Sequence, residues 1–491
     1  MSTVAIIGSG MGGLVAGNLL TQKGHSVVLF EAHMAPGGYT AGFWKHGFYF
    51  ESGTLSFESS DMVFGTMKEL GLYDKISFTR QHDRWIFGEL DCSSQSYTDF
   101  KNDLHKAFPA ENENLSRYFM EVDRMVNAMR SMRKPANIIE AAAFPFKIVN
   151  LISQFKKHGN TTVPEFTERY FEKDTEIFRL LKDIGYPDMS VAILGGAFLS
   201  FLEDYWTVAT GMQSWADILA ENFTALGGEL KLKTKIERII TKNGTAVGVS
   251  GGGKDYAADY VISAGDYKKT FLNLIDDGAL IPETLKKRIE NAPVSEGFFT
   301  VYLGVNLPRE KMKGYLKIPH VTYYDKDHKP DIYDSEDERY FEKASVMFYS
   351  PSLINAALAP EGKSSLMLQA MVPYRWMNNW IADDREGYRK LKKKAKATMI
   401  ERASALIPGL TDLIEYEDAA TPLTYERYTQ NTDGASSAWS WNPNKSFYKN
   451  IMGTHIKTPI KNLYIGSCWA SQIGGVPGAI GAAKACAKKI R

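Results

Sequence analysis

Residues 3–31 read TVAIIGSGMGGLVAGNLLTQKGHSVVLFE, and they constrain the fold more than any other stretch. A short apolar run from Thr3 predicts a strand, and small residues over about 12–23 predict a helix. Lys23-Gly24-His25 turns the chain into a second apolar strand, SVVLF, which ends at Glu31. Gly8, Gly10 and Gly13 stand between the first strand and the helix in G-x-G-x-x-G spacing. Gly8 allows a tight turn, Gly10 lets the backbone approach a pyrophosphate, and Gly13 lets the helix pack on the strand. Met11 and Gly12 fall at the helix N-terminus, where amides and dipole favour an anion, and Glu31 can accept from a ribose hydroxyl. A lone glycine motif is weak. Strand, glycines, helix, strand and acid in this order predict an α/β fold with a dinucleotide site.

The totals exclude several classes. At 491 residues the chain is too long for one compact core, so two domains or one with insertions are expected. A net charge of +1 offers no electrostatic footprint for nucleic acid. Cys92, Cys468 and Cys486 are too far apart for a metal-ligand pair or a disulfide framework, which fits a reducing compartment. The nine histidines form no HExxH or HxH cluster, so no metal is expected. No basic n-region precedes the first strand, so the expectation is a cytoplasmic protein.

Residues 35–53, APGGYTAGFWKHGFYFESG, choose between nucleotides. Gly37 and Gly38 follow the acidic strand, and an aromatic strand closes on Gly53. This resembles the FAD-binding flavoproteins of the amine oxidase and phytoene desaturase superfamily, with E-x(5)-GG-[RK]-x-x-[ST] and then G-[FY]-x-[FL]-D-x-G. Two positions depart from it: Tyr39 stands where Arg or Lys is common, and Glu51 where Asp is common. The resemblance implies FAD, with Ala32, Gly37, Gly38, Tyr39, Thr40 and Gly53 added to its contacts.

From Asn462 to Ala483 the chain carries no charge over 22 residues, the length of a membrane span. Gly466, Gly474, Gly475, Gly478, Gly481 and Pro477 argue against one. The order reads instead as strand NLYIG, loop SCWASQIGGVPG and helix AIGAAKACAKKI. This end, with TPLTYERYTQNTDGASSAW at 421–439, resembles the phytoene desaturase, carotenoid isomerase and retinol saturase group. The resemblance implies a helix N-terminus aimed at the flavin, where reduced flavin is anionic. It adds Gly466, Ser467, Gly475, Val476 and Ala479 to the cofactor contacts.

Between the ends, 211–266 predicts a helix over 213–226, a hairpin turning at Asn243-Gly244 and a buried strand, YVISAGD. The resemblance places Ile236 beside the adenine. The expected architecture is a three-layer, Rossmann-like FAD-binding domain of glutathione-reductase type. It is assembled from 1–80, 205–295 and 421–491, with a mixed α+β substrate domain from 81–204 and 296–420.

Segment 118–160 mixes apolar and basic residues and reads either as two amphipathic helices over a core or as a face that dips into a membrane. MSVAILGGAFLSFL at 189–202 is too short to span and reads as a core or tunnel-wall helix. The lysines at 390–396 read as a solvated helix face, and the acidic stretch 325–338 as a solvated loop.

No Ser-His-Asp set or carboxylate pair stands out, so no catalytic residue is named. Trp206, Tyr374, Trp376, Trp380, Trp439 and Trp441 are the pocket-lining candidates. The resemblance implies an oxidoreductase acting on carbon–carbon double bonds of a long apolar polyene, isoprenoid or lipid. An amine oxidase-like enzyme and a non-enzymatic lipid carrier are the rival readings. Neither the oligomeric state nor the electron partner can be read from the sequence.

Overall fold

The computed structural model describes residues 1–132, 138–324 and 337–491, and their side chains except at 138–141. Arg133 and Lys134 of the basic segment, and nearly all of the acidic stretch 325–338, lie outside the described residues. The principal helices are α1 (Met11–Gln22), α2 (Asn112–Arg130), α3 (Ile138–His158), α4 (Met212–Ala225), α5 (Arg385–Ala403) and α6 (Gly475–Lys489).

One sheet is parallel and draws its five strands from the whole length of the chain. Their order is Leu463–Ile465, Tyr260–Ser263, Thr3–Ile7, Ser26–Phe30 and Glu229–Lys231. The first strand alternates strictly. Val4 and Ile6 face a core shared with α1, α4 and α6, while Ala5 faces the other side with Phe30 and Val261. That other side is covered by an antiparallel meander, Ile236–Lys242, Thr245–Gly251 and Lys254–Ala257, through Ile239 and Val249. Its first turn is the one predicted at Asn243-Gly244, both with positive φ (51° and 72°) as a two-residue hairpin requires. Helices, parallel sheet and meander thus make three layers. Buried Asn18 ties two of the helices together, its amide donating to the Leu219 carbonyl of α4 at 2.8 Å.

The second sheet has seven strands in the order Ile414–Ala420, Gly297–Val305, Ser364–Val372, Val346–Tyr349, His320–Tyr324, Asp83–Phe87 and Leu90–Cys92. Again the period of two sorts the side chains. Phe299, Val301 and Leu303 pack under α5, whereas Tyr302 turns to the other face with Phe48, Phe50 and Tyr349. That other face meets the first domain. A helical body over 97–203 has its own core around Phe119, Phe178 and Phe198. There the helix Leu194–Glu203 packs directly on α2, because a side chain on Gly195 would lie 2.9 Å from the Val126 amide.

One expectation changes here, and one pair of readings is partly resolved. The last helix starts at Gly475, not near Ala479, because Pro477 fits a first turn whose amides have no helical partner anyway. The first half of segment 118–160 is core: Tyr118, Phe119, Val122, Met125 and Val126 are all buried in α2. Met120 of α2 is exposed, and α3 exposes several apolar side chains, among them Phe146, Val149 and Ile152. Among the described residues no helix is long and apolar enough to cross a membrane.

Candidate functional site

Both ends of the chain meet at the N-terminus of α1. A side chain on Gly12 would lie 2.1 Å from the Gly466 carbonyl oxygen, and one on Gly13 would lie 1.9 Å from that of Gly8. Helix α1 therefore sits on the first and last strands with no room for a methyl group. Ser467 Oγ closes the joint by donating to the Gly265 carbonyl at 2.7 Å. Above this joint the space is open: nothing lies within 4 Å of a side chain placed on Gly10 or on Gly265. A phosphate-sized cradle lined by backbone is what a pyrophosphate needs, so these residues fit the dinucleotide.

Gly37 and Gly38 reach the same place. The Gly37 amide donates to the Ser9 carbonyl at 2.9 Å, and a side chain on Gly38 would lie 3.2 Å from Gly10 Cα. Their φ angles of 126° and 60° make glycine necessary at both positions. Thr40 is buried and its hydroxyl donates to the Gly37 carbonyl at 2.6 Å, so it holds this turn instead of facing a phosphate. Glu31 accepts from Ser9 N (2.9 Å), Ser9 Oγ (2.7 Å) and His33 N (2.9 Å). It braces the glycine loop and keeps spare lone pairs for a ribose. Ala32, beside it, is exposed. Ile236 opens the meander two residues beyond Thr234, whose amide donates to the Glu31 carbonyl at 2.7 Å.

Met11, Val476 and Ala479 are buried in the first core, so their side chains serve the packing of α1 on α6. What α6 offers a ligand is its end. Gly474 caps it without a side-chain bond, and no acidic residue occupies its first turn. Glu51 is fully buried and caps α4, accepting from Met212 N at 3.1 and 3.2 Å and from the Tyr49 hydroxyl at 2.8 Å. Burial pushes its carboxyl up to about 8.

Tyr39 stacks on Tyr425 with ring centres 5.7 Å apart and donates to the Gly434 carbonyl at 2.8 Å. A side chain on Gly53 would meet that ring at 2.4 Å. The Tyr39 ring is therefore packed between Tyr425 and Gly53. Cys468 lies near it, its thiol pushed up to about 12 by burial.

Of the aromatic candidates, Trp441 belongs to this region, stacked on Tyr186 at 4.7 Å and 7°. The others do not. Trp376 and Trp380 lie in the core under α5, behind the seven-stranded sheet. Trp439 is fully buried against Phe447 and donates to the Trp469 carbonyl at 2.9 Å. Tyr374 donates to Glu426 at 3.0 Å, and that carboxylate also holds Lys269. Trp206 packs on Phe64 and donates to Asp204 at 2.9 Å. Its neighbour Tyr205 points the other way along the strand, toward Ser56 and Glu58. An aromatic residue in a sequence does not reveal which face it takes, and here most faces are core.

The sequence also hid an acidic feature. Glu58 and Glu296 are 238 positions apart, yet both act electrostatically on Tyr186. Burial pushes each carboxyl up to about 7. Folding brings both within electrostatic reach of one tyrosine, although no local motif links them. Gly265 was missed too, although SAGD after a buried strand repeats the glycine-after-strand signal of Gly8. Among the described residues no group of three or more metal-ligating side chains forms.

The comparisons agree with this geometry. A 4,4'-diapophytoene desaturase from Methylomonas is 26% identical, covering 94% of this chain and 93% of that one. A chloroplastic prolycopene isomerase from Daucus carota is 24% identical (87% and 70% covered). An all-trans-retinol 13,14-reductase from Danio rerio is 22% identical (94% and 81% covered). Among solved structures, an oxidoreductase from Methanosarcina mazei shares the fold at TM-score 0.66 and 14% identity, covering 98% of this chain and 99% of its own. A putrescine oxidase does so at TM-score 0.66 and 15% identity, covering 99% and 98%. The family model for flavin-containing amine oxidoreductases matches residues 11–491, and this chain belongs to that family.

Proposed function

We propose that this protein is an FAD-dependent oxidoreductase acting on carbon–carbon double bonds of a long apolar polyene, isoprenoid or lipid, by desaturation, saturation or isomerisation. One observation carries the cofactor: the glycine loop of α1, the Gly37-Gly38 turn and the Gly466 loop converge on one open, backbone-lined cradle. The three-layer order of meander, parallel sheet and helices supports the glutathione-reductase type. The named activities of the desaturase, isomerase and reductase relatives support the substrate class.

When bound, FAD supplies hydride acceptance and donation at its ring. The residues of this chain do the rest. Gly8, Gly10, Gly12 and Gly13 let backbone amides approach the phosphates, and Glu31 holds that loop and meets the ribose. The uncapped end of α6 offers amides and a positive dipole to negative charge. The stacked pairs Tyr39–Tyr425 and Tyr186–Trp441 would form an aromatic wall beside an apolar chain. Buried apolar area contributes roughly 25 cal/mol per Å² as an upper figure, so affinity rises with chain length until the cleft is full.

Anaerobic mixing of the holoprotein with polyenes, isoprenoids, fatty acids and amines tests the reading. Flavin bleaching or re-oxidation with a long polyene is expected. Rapid reduction by small amines, with no response to any lipid, would promote the amine oxidase reading, which Glu58 and Glu296 favour as anchors for a cation.

We also place the protein in the cytoplasm, in contact with the inner membrane face through α3. Phe146 (78% exposed), Val149 (65%) and Ile152 (48%) recur at helical spacing, beside Lys147 and Lys156. Flotation with anionic vesicles is the measurement. Wild-type protein should float, and Phe146→Glu/Val149→Glu should stay in the soluble fraction with its flavin intact. Equal recovery of both forms would remove the membrane contact.

A further inference from the structure

The proposed reaction needs a group to handle a proton, and no motif supplies one. Forming a double bond removes two hydrogens from adjacent carbons. One leaves as hydride to the flavin with its electron pair. The other leaves as a proton, and its C–H electrons become the new π bond.

We propose that Glu58 is the residue that takes this proton, and returns it when the reaction runs toward saturation. The inference rests on the reading of the substrate as a polyene.

Its position is built by backbone. Phe57 and Trp206 form an antiparallel bridge, Phe57 N to Trp206 O at 2.8 Å and Trp206 N to Phe57 O at 2.9 Å. Phe57 is turned into the first core, so Glu58, next along the chain, is directed the other way. There Glu58 Oε1 lies 3.7 Å from the position of a side chain on Gly475, at the N-terminus of α6. It therefore sits at the end of the helix assigned to the flavin, between the cofactor domain and the aromatic wall.

The groups around it leave it free to titrate. Asp204 is the nearest like charge, and both its oxygens are occupied, by Ser60 N at 3.0 Å and Trp206 Nε1 at 2.9 Å. Tyr186 and Tyr205 face Glu58 with phenols raised by burial, so neither is an anion. Among the described residues no cation and no other side chain pairs with Glu58; its own backbone amide donates to its carboxyl. Glu58 is half-buried, so its carboxyl keeps some access to solvent. Burial, and then Asp204, push the carboxyl up to about 7, where acid and base forms coexist at neutral pH. Fully buried Glu51, by contrast, is held by Met212 N and the Tyr49 hydroxyl. Glu296 is also raised, but Asp188 and Lys445 act on it and no contact places it at the α6 end.

The test uses the FAD-loaded protein and its Glu58→Gln and Glu58→Asp variants, with 4,4'-diapophytoene in phosphatidylcholine vesicles as probe. Anaerobic flavin reduction by the wild type should rise with pH through about 7, because the ionised form accepts the proton. Glu58→Gln should lower the limiting rate at least about 100-fold, lose that pH limb and leave probe affinity unchanged. Glu58→Asp should restore part of the rate with a shifted limb. Infrared pH titration supplies a readout that needs no turnover. A protonated-carboxyl band should fade through the same pH range in the wild type and be missing from Glu58→Gln. Turnover of Glu58→Gln within threefold of wild type, with the same pH limb, would overturn the role of Glu58 alone. A wild type that shows the band but reduces with none of the lipids would overturn the substrate reading and, with it, the proton role. A diamine that binds wild type and not Glu58→Gln would do the same, assigning Glu58 to a cation.

Discussion

Gly10→Val should give a folded, colourless protein, whereas Gly12→Val should give no folded protein. The two glycines sit two residues apart in one motif, and the space around them separates their roles. Gly10 has φ −68°, which any residue adopts, and nothing lies within 4 Å of its missing side chain. A valine there is tolerated by the fold and fills the place of the pyrophosphate. Gly12 would put its first carbon 2.1 Å from the Gly466 carbonyl oxygen, and a backbone oxygen has no rotamer to escape into. Relief requires parting α1 from the last strand. That costs more than the roughly 1–3 kcal/mol of ordinary overpacking. Absorbance of the purified protein reports flavin, and circular dichroism with thermal unfolding reports fold. Full flavin content in Gly10→Val would remove the phosphate from that place. A stable Gly12→Ala protein would show that the two chain ends are less closely joined than they are here.

Trp439→Ala should cost about 3–5 kcal/mol and most of the bound flavin. Trp439 is fully buried, stacked on Phe447 with ring centres 3.9 Å apart, and it donates to the Trp469 carbonyl at 2.9 Å. Trp469 lies in the loop between the last strand and α6, and its own indole donates to Asn431 at 3.1 Å. Removing Trp439 leaves a cavity and loosens the loop that carries Gly466 and Ser467 to the cradle. Trp376→Ala is the comparison. It opens a similar cavity under α5, on the far side of the seven-stranded sheet, so it should lower stability comparably and leave flavin stoichiometry unchanged. Denaturant unfolding and flavin content per chain, measured on both variants, distinguish the two. Equal flavin loss in both would mean that stability alone governs retention.

The cofactor half of the site could be read because its signals are local. Gly8, Gly10, Gly13 and Glu31 fall within one strand–helix–strand unit, and their backbone roles follow from residue type and spacing. The same holds for the Asn243-Gly244 hairpin, and the glycines and proline near the start of α6 argued against a membrane span, although Gly475, Pro477, Gly478 and Gly481 lie in the helix itself. Even here tertiary contact changed roles. Thr40 closes a turn, and Met11, Val476 and Ala479 fill the core between two helices.

The substrate half could not be read in the same way, and the reason is geometric. A strand sends neighbouring side chains to opposite faces, so Tyr205 meets the cleft while Trp206 meets the core. Composition chooses between them no better than chance. Glu58, Tyr186 and Glu296 come from three separate segments, and their common surroundings exist only after the two domains close on one another. Their raised carboxyls are a product of burial, which a sequence does not carry. By itself, then, the sequence determined a dinucleotide fold and its glycine cradle, because backbone conformation and close approach depend on residue type at fixed spacing. Only the tertiary structure decided which aromatics are core and which acid has no cation beside it, because exposure, pairing and desolvation arise from distant segments packed together.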